Sequence, residues 1–137
     1  MRYRALALVG LAIACASSSY TVTTTAAVPK PVADVYACLR AAITPIGYTQ
    51  TSYDVASHRL TARRYNETVR RPDVRFRRMV DELEIEVRPD SGGRSAIGVA
   101  ARTFAEYMTE RGQTLVQEAA SDSVQAAGQA VFAACGR

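Results

Sequence analysis

The sequence predicts an α+β fold, a two-layer sandwich in which an antiparallel sheet of about five strands carries two helices on one face. Residues 82–87, ELEIEV, alternate strictly between charged and apolar side chains, which is typical of a half-buried strand. Residues 31–46 and 122–135 instead place apolar side chains at helical spacing. The 137 residues leave room for one hydrophobic core, so we expect a single domain.

The domain is predicted to begin with a strand and a helix. Residues 20–28, YTVTTTAAV, are rich in β-branched side chains, which favour a strand. Pro31 suits the first turn of a helix, and Asp34 complements the positive end of its dipole. Apolar residues then recur at helical spacing before Pro45 and Gly47 end the helix: Val35, Leu39, Ala42 and Ile46.

Four strands in a meander are predicted to follow. Residues 48–53 and 60–65 form strands on either side of a turn, and residues 82–87 and 95–107 flank a second turn with the sequence PDSGG. The segment 108–120 has no clear period and stays unassigned. The predicted order of elements is therefore β-α-β-β-β-β-α.

A final helix is predicted to begin near Asp122. Asp122 and Gln125, three residues later, resemble a capping box. The apolar stripe of this helix consists of small and medium side chains: Val124, Ala127, Gly128, Val131 and Cys135. One-sided helices and a one-sided sheet favour two packed layers.

The amino-terminal segment has the pattern of an export signal. Arg2 and Arg4 precede an apolar run over residues 5–14, which is too short to span a bilayer. Residues 11–15, LAIAC, resemble the lipobox of bacterial lipoproteins, in which the cysteine becomes lipid-modified. The resemblance implies a signal peptide at 1–14, a lipidated Cys15 with a polar tether over 15–19, and a domain over 20–137.

The resemblance also implies a location. Several acyl chains on Cys15 would anchor the protein durably, and residue 16 is not the aspartate that retains enteric lipoproteins at the inner membrane. We therefore expect an outer-membrane lipoprotein that faces the periplasm. The sequence AIA at residues 12–14 also satisfies the rule for ordinary signal peptidase, so a soluble periplasmic or secreted protein remains an alternative, as does a retained anchor or a buried helix.

Two cysteines remain in the domain, Cys38 and Cys135. An even pair in a chain bound for an oxidising compartment suggests a disulfide. The alternative is that each cysteine is a small apolar core residue.

The order of elements resembles the helix-grip domains of small envelope lipoproteins such as BamC and, more distantly, START-type ligand-binding domains. The resemblance rests on that order and on residues 41–48, AAITPIGY, followed by residues 60–62, LTA. It implies a non-catalytic domain, and it carries over no site residues.

No catalytic or metal-binding motif is visible in the sequence. His58, the only histidine, lies in a predicted turn, and no Gly-x-Ser-x-Gly or Cys-x-x-Cys motif occurs. Asp81 and the three glutamates at positions 82, 84 and 86 are close in sequence, but alternation predicts that those glutamates face water. We therefore expect a protein that is not an enzyme and that needs no cofactor or metal.

An arginine-rich segment is the main candidate for binding. Eight arginines between residues 59 and 78 face only Glu67 and Asp73 within that segment. Cross-strand pairing, for example of Arg63 with Glu82 or Glu84, would account for two or three of them. The arginines in or beside the loop over residues 66–75 are the binding candidates: Arg64, Arg70, Arg71, Arg75, Arg77 and Arg78.

The guanidinium group suits particular partners. Its planar fork matches carboxylates and phosphates, which favours anionic lipid, lipopolysaccharide or an acidic protein. Nucleic acid is not expected for an exported protein, and the net charge of +4 includes two arginines of the leader.

Two classes of function therefore compete. The first is a structural or interaction lipoprotein that contacts a protein or an anionic lipid. The second is a carrier that holds a small apolar ligand between sheet and helices. A core filled by its own side chains favours the first, and an open apolar cavity favours the second.

Overall fold

The computed structural model describes residues 19–137. The predicted signal peptide and Cys15 lie outside the described residues. Six strands and two α-helices follow one another along the chain: β1 (Thr21–Val28), α1 (Val32–Ala42), β2 (Thr49–Asp54), β3 (Arg59–Asn66), β4 (Phe76–Pro89), β5 (Ser95–Thr109), β6 (Gly112–Glu118) and α2 (Asp122–Cys135).

The strands form one antiparallel sheet, and the predicted α+β fold is confirmed. The order across the sheet is β1-β5-β4-β3-β2, and β6 also pairs with β5. Strand β5 is long enough to hold two partners on one edge, because β1 pairs with residues 95–102 and β6 pairs with residues 103–109. Strands β1 and β6 therefore lie end to end.

Strand β6 occupies part of the segment that the sequence left unassigned. Gly112 has φ of 107°, a left-handed conformation that favours glycine and here closes the hairpin from β5. Leu115 and Val116 are adjacent apolar residues, which obscures the two-residue period of a strand. Residues 112–118 therefore form a strand because they pair with β5, and no local sequence pattern indicates it.

The hydrophobic core lies between the sheet and the two helices. The apolar side chains that alternate on β4 and β5 point into it, and Leu83, Ile85 and Val99 are at most 1% exposed. The stripe predicted for α2 is also buried. Because α1 and α2 contribute to the same core cluster as these strands, the helices cover one face of the sheet and leave the other face open.

The helix ends differ in detail from the sequence prediction. Helix α1 ends at Ala42, and turns then lead to Gly47, whose φ is 84°. Helix α2 is capped by Ser121, because its hydroxyl accepts a hydrogen bond from the Val124 N–H at 3.1 Å. The capping box predicted at Asp122 is therefore wrong by one residue, and Asp122 instead lies in the first helical turn.

A disulfide joins the two helices. Cys38 lies in α1 and Cys135 is the last residue of α2, with Cα atoms 5.9 Å apart and sulfur atoms 2.06 Å apart. The two cysteines are 97 residues apart in sequence. The disulfide therefore links the first and last helices of the domain.

Within residues 19–137, no helix has the length and apolar character needed to cross a membrane.

Candidate functional site

The loop between β3 and β4 holds three of the six predicted binding arginines and is fixed by local hydrogen bonds. The Asn66 side-chain oxygen accepts hydrogen bonds from the N–H and hydroxyl of Thr68, at 3.0 and 2.7 Å. Asp73 Oδ1 accepts a hydrogen bond from the Arg75 N–H at 2.9 Å. The Met108 N–H donates to the Arg75 carbonyl at 2.8 Å, which ties the loop to the end of β5.

Arg71 and Arg78, two of the six predicted arginines, are half-buried and paired. Arg71 donates to both carboxylate oxygens of Glu118 on β6, at 2.7 Å for Nη2 to Oε2. Arg78 lies 3.1 Å from Glu106 Oε1 and 3.2 Å from Glu67 Oε1. These two arginines are therefore neutralised by carboxylates rather than directed to solvent.

Aromatic rings also hold these arginines in place. The Arg78 guanidinium carbon lies 3.8 Å from the centre of the Tyr65 ring, and that of Arg71 lies 5.0 Å from the centre of the Phe76 ring. Contacts of this kind stabilise a cation over an aromatic face. The aromatic residues near the loop therefore pack against arginines of the same chain.

Three other predicted arginines, two in the loop and one at the start of β4, are more exposed. Arg75 forms an ion pair with Asp73 at 2.9 Å, and its side chain is 64% exposed. Arg77 lies 3.6 Å from Glu106. Among residues 19–137, Arg70 has no carboxylate partner, and it donates hydrogen bonds to the carbonyls of Glu67 and Val69.

The expectation that pairing accounts for only two or three arginines is therefore wrong. Arginines 59, 63, 64, 71, 75, 77 and 78 each lie within ion-pair distance of a carboxylate. The acids from β4, β5 and β6 are distant in sequence and adjacent in the sheet. The local excess of positive charge in the sequence is thus largely offset in the fold.

Pairing with Arg71 affects the titration of Glu118. The hydrogen bonds from Arg71 lower the pKa of Glu118 below its ordinary value, against the smaller opposing effect of burial. A carboxylate that accepts hydrogen bonds in its charged form is stabilised in that form. Glu118 is therefore ionised and bound to Arg71 at neutral pH.

A buried polar network joins the sheet to the start of α2, and the sequence analysis missed it. Asp81 Oδ1 accepts hydrogen bonds from the hydroxyls of Thr103 and Ser121, at 2.8 and 2.9 Å. Its Oδ2 accepts one from Arg64 at 3.0 Å, and Arg64 also donates to Ser123. Asp81 thereby connects β3, β4, β5 and α2.

Tyr48 lies beside this network. The Arg64 guanidinium carbon is 4.9 Å from the centre of the Tyr48 ring. Burial, followed by the negative charge of Asp81, raises the pKa of Tyr48 well above its ordinary value. Tyr48 is therefore a neutral residue that packs against Arg64.

The open face of the sheet carries ion pairs between neighbouring strands. Glu82 lies 2.7 Å from Arg63 on β3 and 3.6 Å from Arg102 on β5, and it is only 7% exposed. The prediction that the three glutamates of β4 face water is wrong for Glu82, because arginines from both neighbouring strands cover it. The predicted pairing of Arg63 with Glu82 is confirmed.

The features considered for catalysis do not converge. His58, with φ of 50°, lies in the turn between β2 and β3, and its ring packs edge-to-face on Tyr36 at 5.4 Å. Within the described part of the chain, no group of three or more histidine, cysteine or acidic side chains could hold a metal ion.

Comparison with known protein families and with curated proteins finds no match to this chain.

Grooves on the surface lie on both sides of the arginine loop. One, of about 460 Å³, is lined by the loop and the first residues of β4, including Val69, Arg70 and Phe76. Another, of about 430 Å³, lies against the Asp81 network. Both are open to solvent and have charged side chains in their walls, so they suit a surface contact better than an enclosed apolar ligand.

Proposed function

We propose that this chain is a membrane-anchored envelope lipoprotein whose domain has a non-catalytic structural or interaction role. Cys15 carries the lipid in this proposal, and the domain contacts an envelope protein or an anionic lipid. The resemblance to helix-grip envelope lipoproteins and the outer-membrane location belong to the same proposal.

The observation that carries the proposed role is the filled interior. The space between the sheet and the helices is occupied by large apolar side chains, all at most 1% exposed: Leu39, Ile43, Leu83, Ile85, Val99 and Val131. A carrier needs an apolar cavity with a few convergent polar groups. The filled interior supports an interaction role and argues against the alternative of a small apolar-ligand carrier.

The anchor is tested by replacing the cysteine, Cys15→Ser, in the full chain with its leader. We expect the protein to move from the detergent-soluble membrane fraction to the soluble fraction, because the thiol that receives the lipid is lost. Ser17→Ala is the matched control and should leave the membrane fraction unchanged. An unmodified Cys15 in the intact mass of protein purified from membranes would refute the proposal.

A further inference from the structure

One end of the sheet, at the turn between β5 and β6, carries exposed apolar residues. We call this end the tip and define it as residues 70–77 and 108–112. Val74 is 97% exposed and Met108 is 44% exposed. The other exposed large apolar residues of the described chain are between 41% and 60% exposed, so Val74 is the one that stands furthest out into solvent.

Val74 is presented by a fixed turn. The Phe76 N–H donates to the Asp73 carbonyl at 3.0 Å, which closes the turn around Val74 and Arg75. The Asp73 side chain accepts from the Arg75 N–H and also pairs with the Arg75 guanidinium. Val74 is therefore held outward by a turn that is fixed by its own hydrogen bonds and by a hydrogen bond to the end of β5.

The chain enters the domain at the middle of β5, between the tip and the opposite end of the sheet. Thr21 is the partner of Arg102 on β5, and β1 runs from there toward Ser95, away from the tip. Ser19 accepts a hydrogen bond from the Ala120 N–H at 3.0 Å, and Tyr20 accepts one from the Gln117 side chain at 3.1 Å. The chain that precedes β1 thus joins the domain beside the carboxyl end of β6.

The tether is short enough to keep the domain at the membrane surface. Strand β6 has seven residues and begins at the tip, so the tip lies about 20 Å from Ser19 at about 3.3 Å per residue. Residues 15–18 can span at most about 14 Å. A lipid on Cys15 and the tip therefore reach the same bilayer surface when the sheet is tilted so that Ser19 lies no more than about 14 Å above that surface.

Arginines surround the apolar residues of the tip. Arg70 and Arg111 have no carboxylate within ion-pair distance among residues 19–137, and the side chains of Arg75 and Arg77 are 64% and 49% exposed. A guanidinium can reach the phosphates of headgroups while its stem lies along an apolar surface. The tip also contains two carboxylates, Asp73, which pairs with Arg75, and the exposed Glu110, against five arginines. An apolar point on a surface with a net positive charge suits the interface of an anionic membrane.

From these observations we propose that the tip rests on the bilayer that holds the Cys15 anchor, with Val74 inserted at the level of the headgroups and Arg70 and Arg111 at the lipid phosphates. This inference depends on the proposed lipid anchor and adds the surface that contacts the membrane. The short tether and the direction of β1 favour this occupant over a protein partner or a second copy of the chain.

The chain contains no tryptophan, so a single introduced tryptophan reports its own surroundings. Lipidated Val74→Trp protein is placed in vesicles of phosphatidylethanolamine and phosphatidylglycerol that contain a brominated lipid as quencher. Ser91→Trp, at the turn between β4 and β5 on the opposite end of the sheet, is the matched control. We expect blue-shifted, strongly quenched emission from the Val74 variant and unquenched emission from the control.

The unsubstituted protein provides a second measurement, because tryptophan itself prefers membrane interfaces. Amide hydrogen exchange in residues 70–77 and 108–112 should slow when the lipidated protein is bound to vesicles, whereas exchange in residues 90–94 should not change. Slowed exchange at the tip together with quenching at Val74 supports the proposal.

The outcomes separate this inference from the proposal on which it depends. Lipidated, vesicle-bound protein with equal quenching at both positions, or with no slowing of exchange at the tip, refutes the membrane contact and leaves the anchor intact. That result would favour a protein partner for the tip. An unmodified Cys15 in the intact mass refutes both.

Discussion

Asp81→Ala removes the acceptor that connects β3, β4, β5 and α2. Asp81 is 9% exposed and accepts three hydrogen bonds, from Thr103, Ser121 and Arg64. We expect this single substitution to destabilise the domain more than the loss of Glu86, a more exposed carboxylate on the open face of the sheet.

The magnitude follows from the partners that Asp81 leaves behind. Hydrogen bonds to a charged group contribute about 1.5 to 3 kcal/mol each, and their losses are not additive. Arg64 keeps part of its side chain in contact with water, whereas Thr103 is 3% exposed and loses the acceptor for its hydroxyl. We therefore expect the free energy of unfolding to fall by about 3 to 5 kcal/mol.

Asp81→Asn separates charge from hydrogen bonding. The amide oxygen can still accept from the hydroxyls of Thr103 and Ser121, but the amide NH₂ cannot accept from Arg64. The loss should be about half of that for Asp81→Ala, because only the charged interaction disappears.

The matched control is Glu86→Ala on the same strand. Glu86 pairs with two arginines, Arg59 at 3.0 Å and Arg88 at 2.8 Å, on the open face of the sheet. Because both arginines are more than half exposed, we expect a loss below about 1 kcal/mol.

Urea unfolding with the disulfide intact measures the free energy of unfolding for all three variants, and equal m-values show that the denatured states are comparable. If Asp81→Ala lowers the free energy of unfolding no more than Glu86→Ala does, burial does not determine how much these carboxylates stabilise the fold. The prediction about the Asp81 network would then be wrong.

Two further predictions concern the disulfide and the pairing of Glu118. Cys38 and Cys135 are 97 residues apart, so reduction of their disulfide should lower the free energy of unfolding by about 4.7 kcal/mol in a chain-entropy treatment. The melting temperature should fall by about 15 to 20 °C, and a calorimetric shift of only a few degrees would contradict this. Glu118→Gln should cost less than about 1 kcal/mol at neutral pH, since the ion pair is partly exposed. Because the pKa of Glu118 is lowered in the fold, its contribution is fully present above about pH 5 and is lost as the pH falls below the ordinary pKa of about 4.3. The unsubstituted protein and Glu118→Gln should therefore be unfolded in urea between about pH 3 and about pH 7. Their free energies of unfolding should converge as the pH falls, and a difference that stays constant with pH would exclude this role of Glu118.

Local patterns predicted most of the fold because the elements that carry it have clear periods. The alternation over residues 82–87 placed Leu83 and Ile85 in the core, and the spacing in α2 placed Val124 and Val131 there. The same two-residue period puts Asp81 on the inner face with Leu83, and Thr103 on the inner face with Ala101. The signal for the polar network was therefore present in the sequence.

The partners of the arginines could not be predicted in the same way. Arg71 and Glu118 are 47 residues apart, and Arg78 and Glu106 are 28 apart. Their meeting depends on the position of β6 beside β5, and β6 has no clear pattern of its own. A count of charges within one segment of sequence therefore overestimated the positive charge available to a partner.

The pairing of the arginines also changes how a membrane contact should respond to salt. Because Asp73, Glu106 and Glu118 offset the charge of Arg75, Arg77 and Arg71, net electrostatic attraction between the tip and an anionic bilayer is small. Attraction between exposed charges is screened over about 8 Å at physiological ionic strength, whereas burial of Val74 in the interface is not weakened by salt. Quenching of the Val74→Trp variant should therefore persist when the salt concentration is raised. Loss of quenching at high salt would instead assign the contact to Arg70 and Arg111, and would show that charge rather than apolar insertion holds the tip on the membrane.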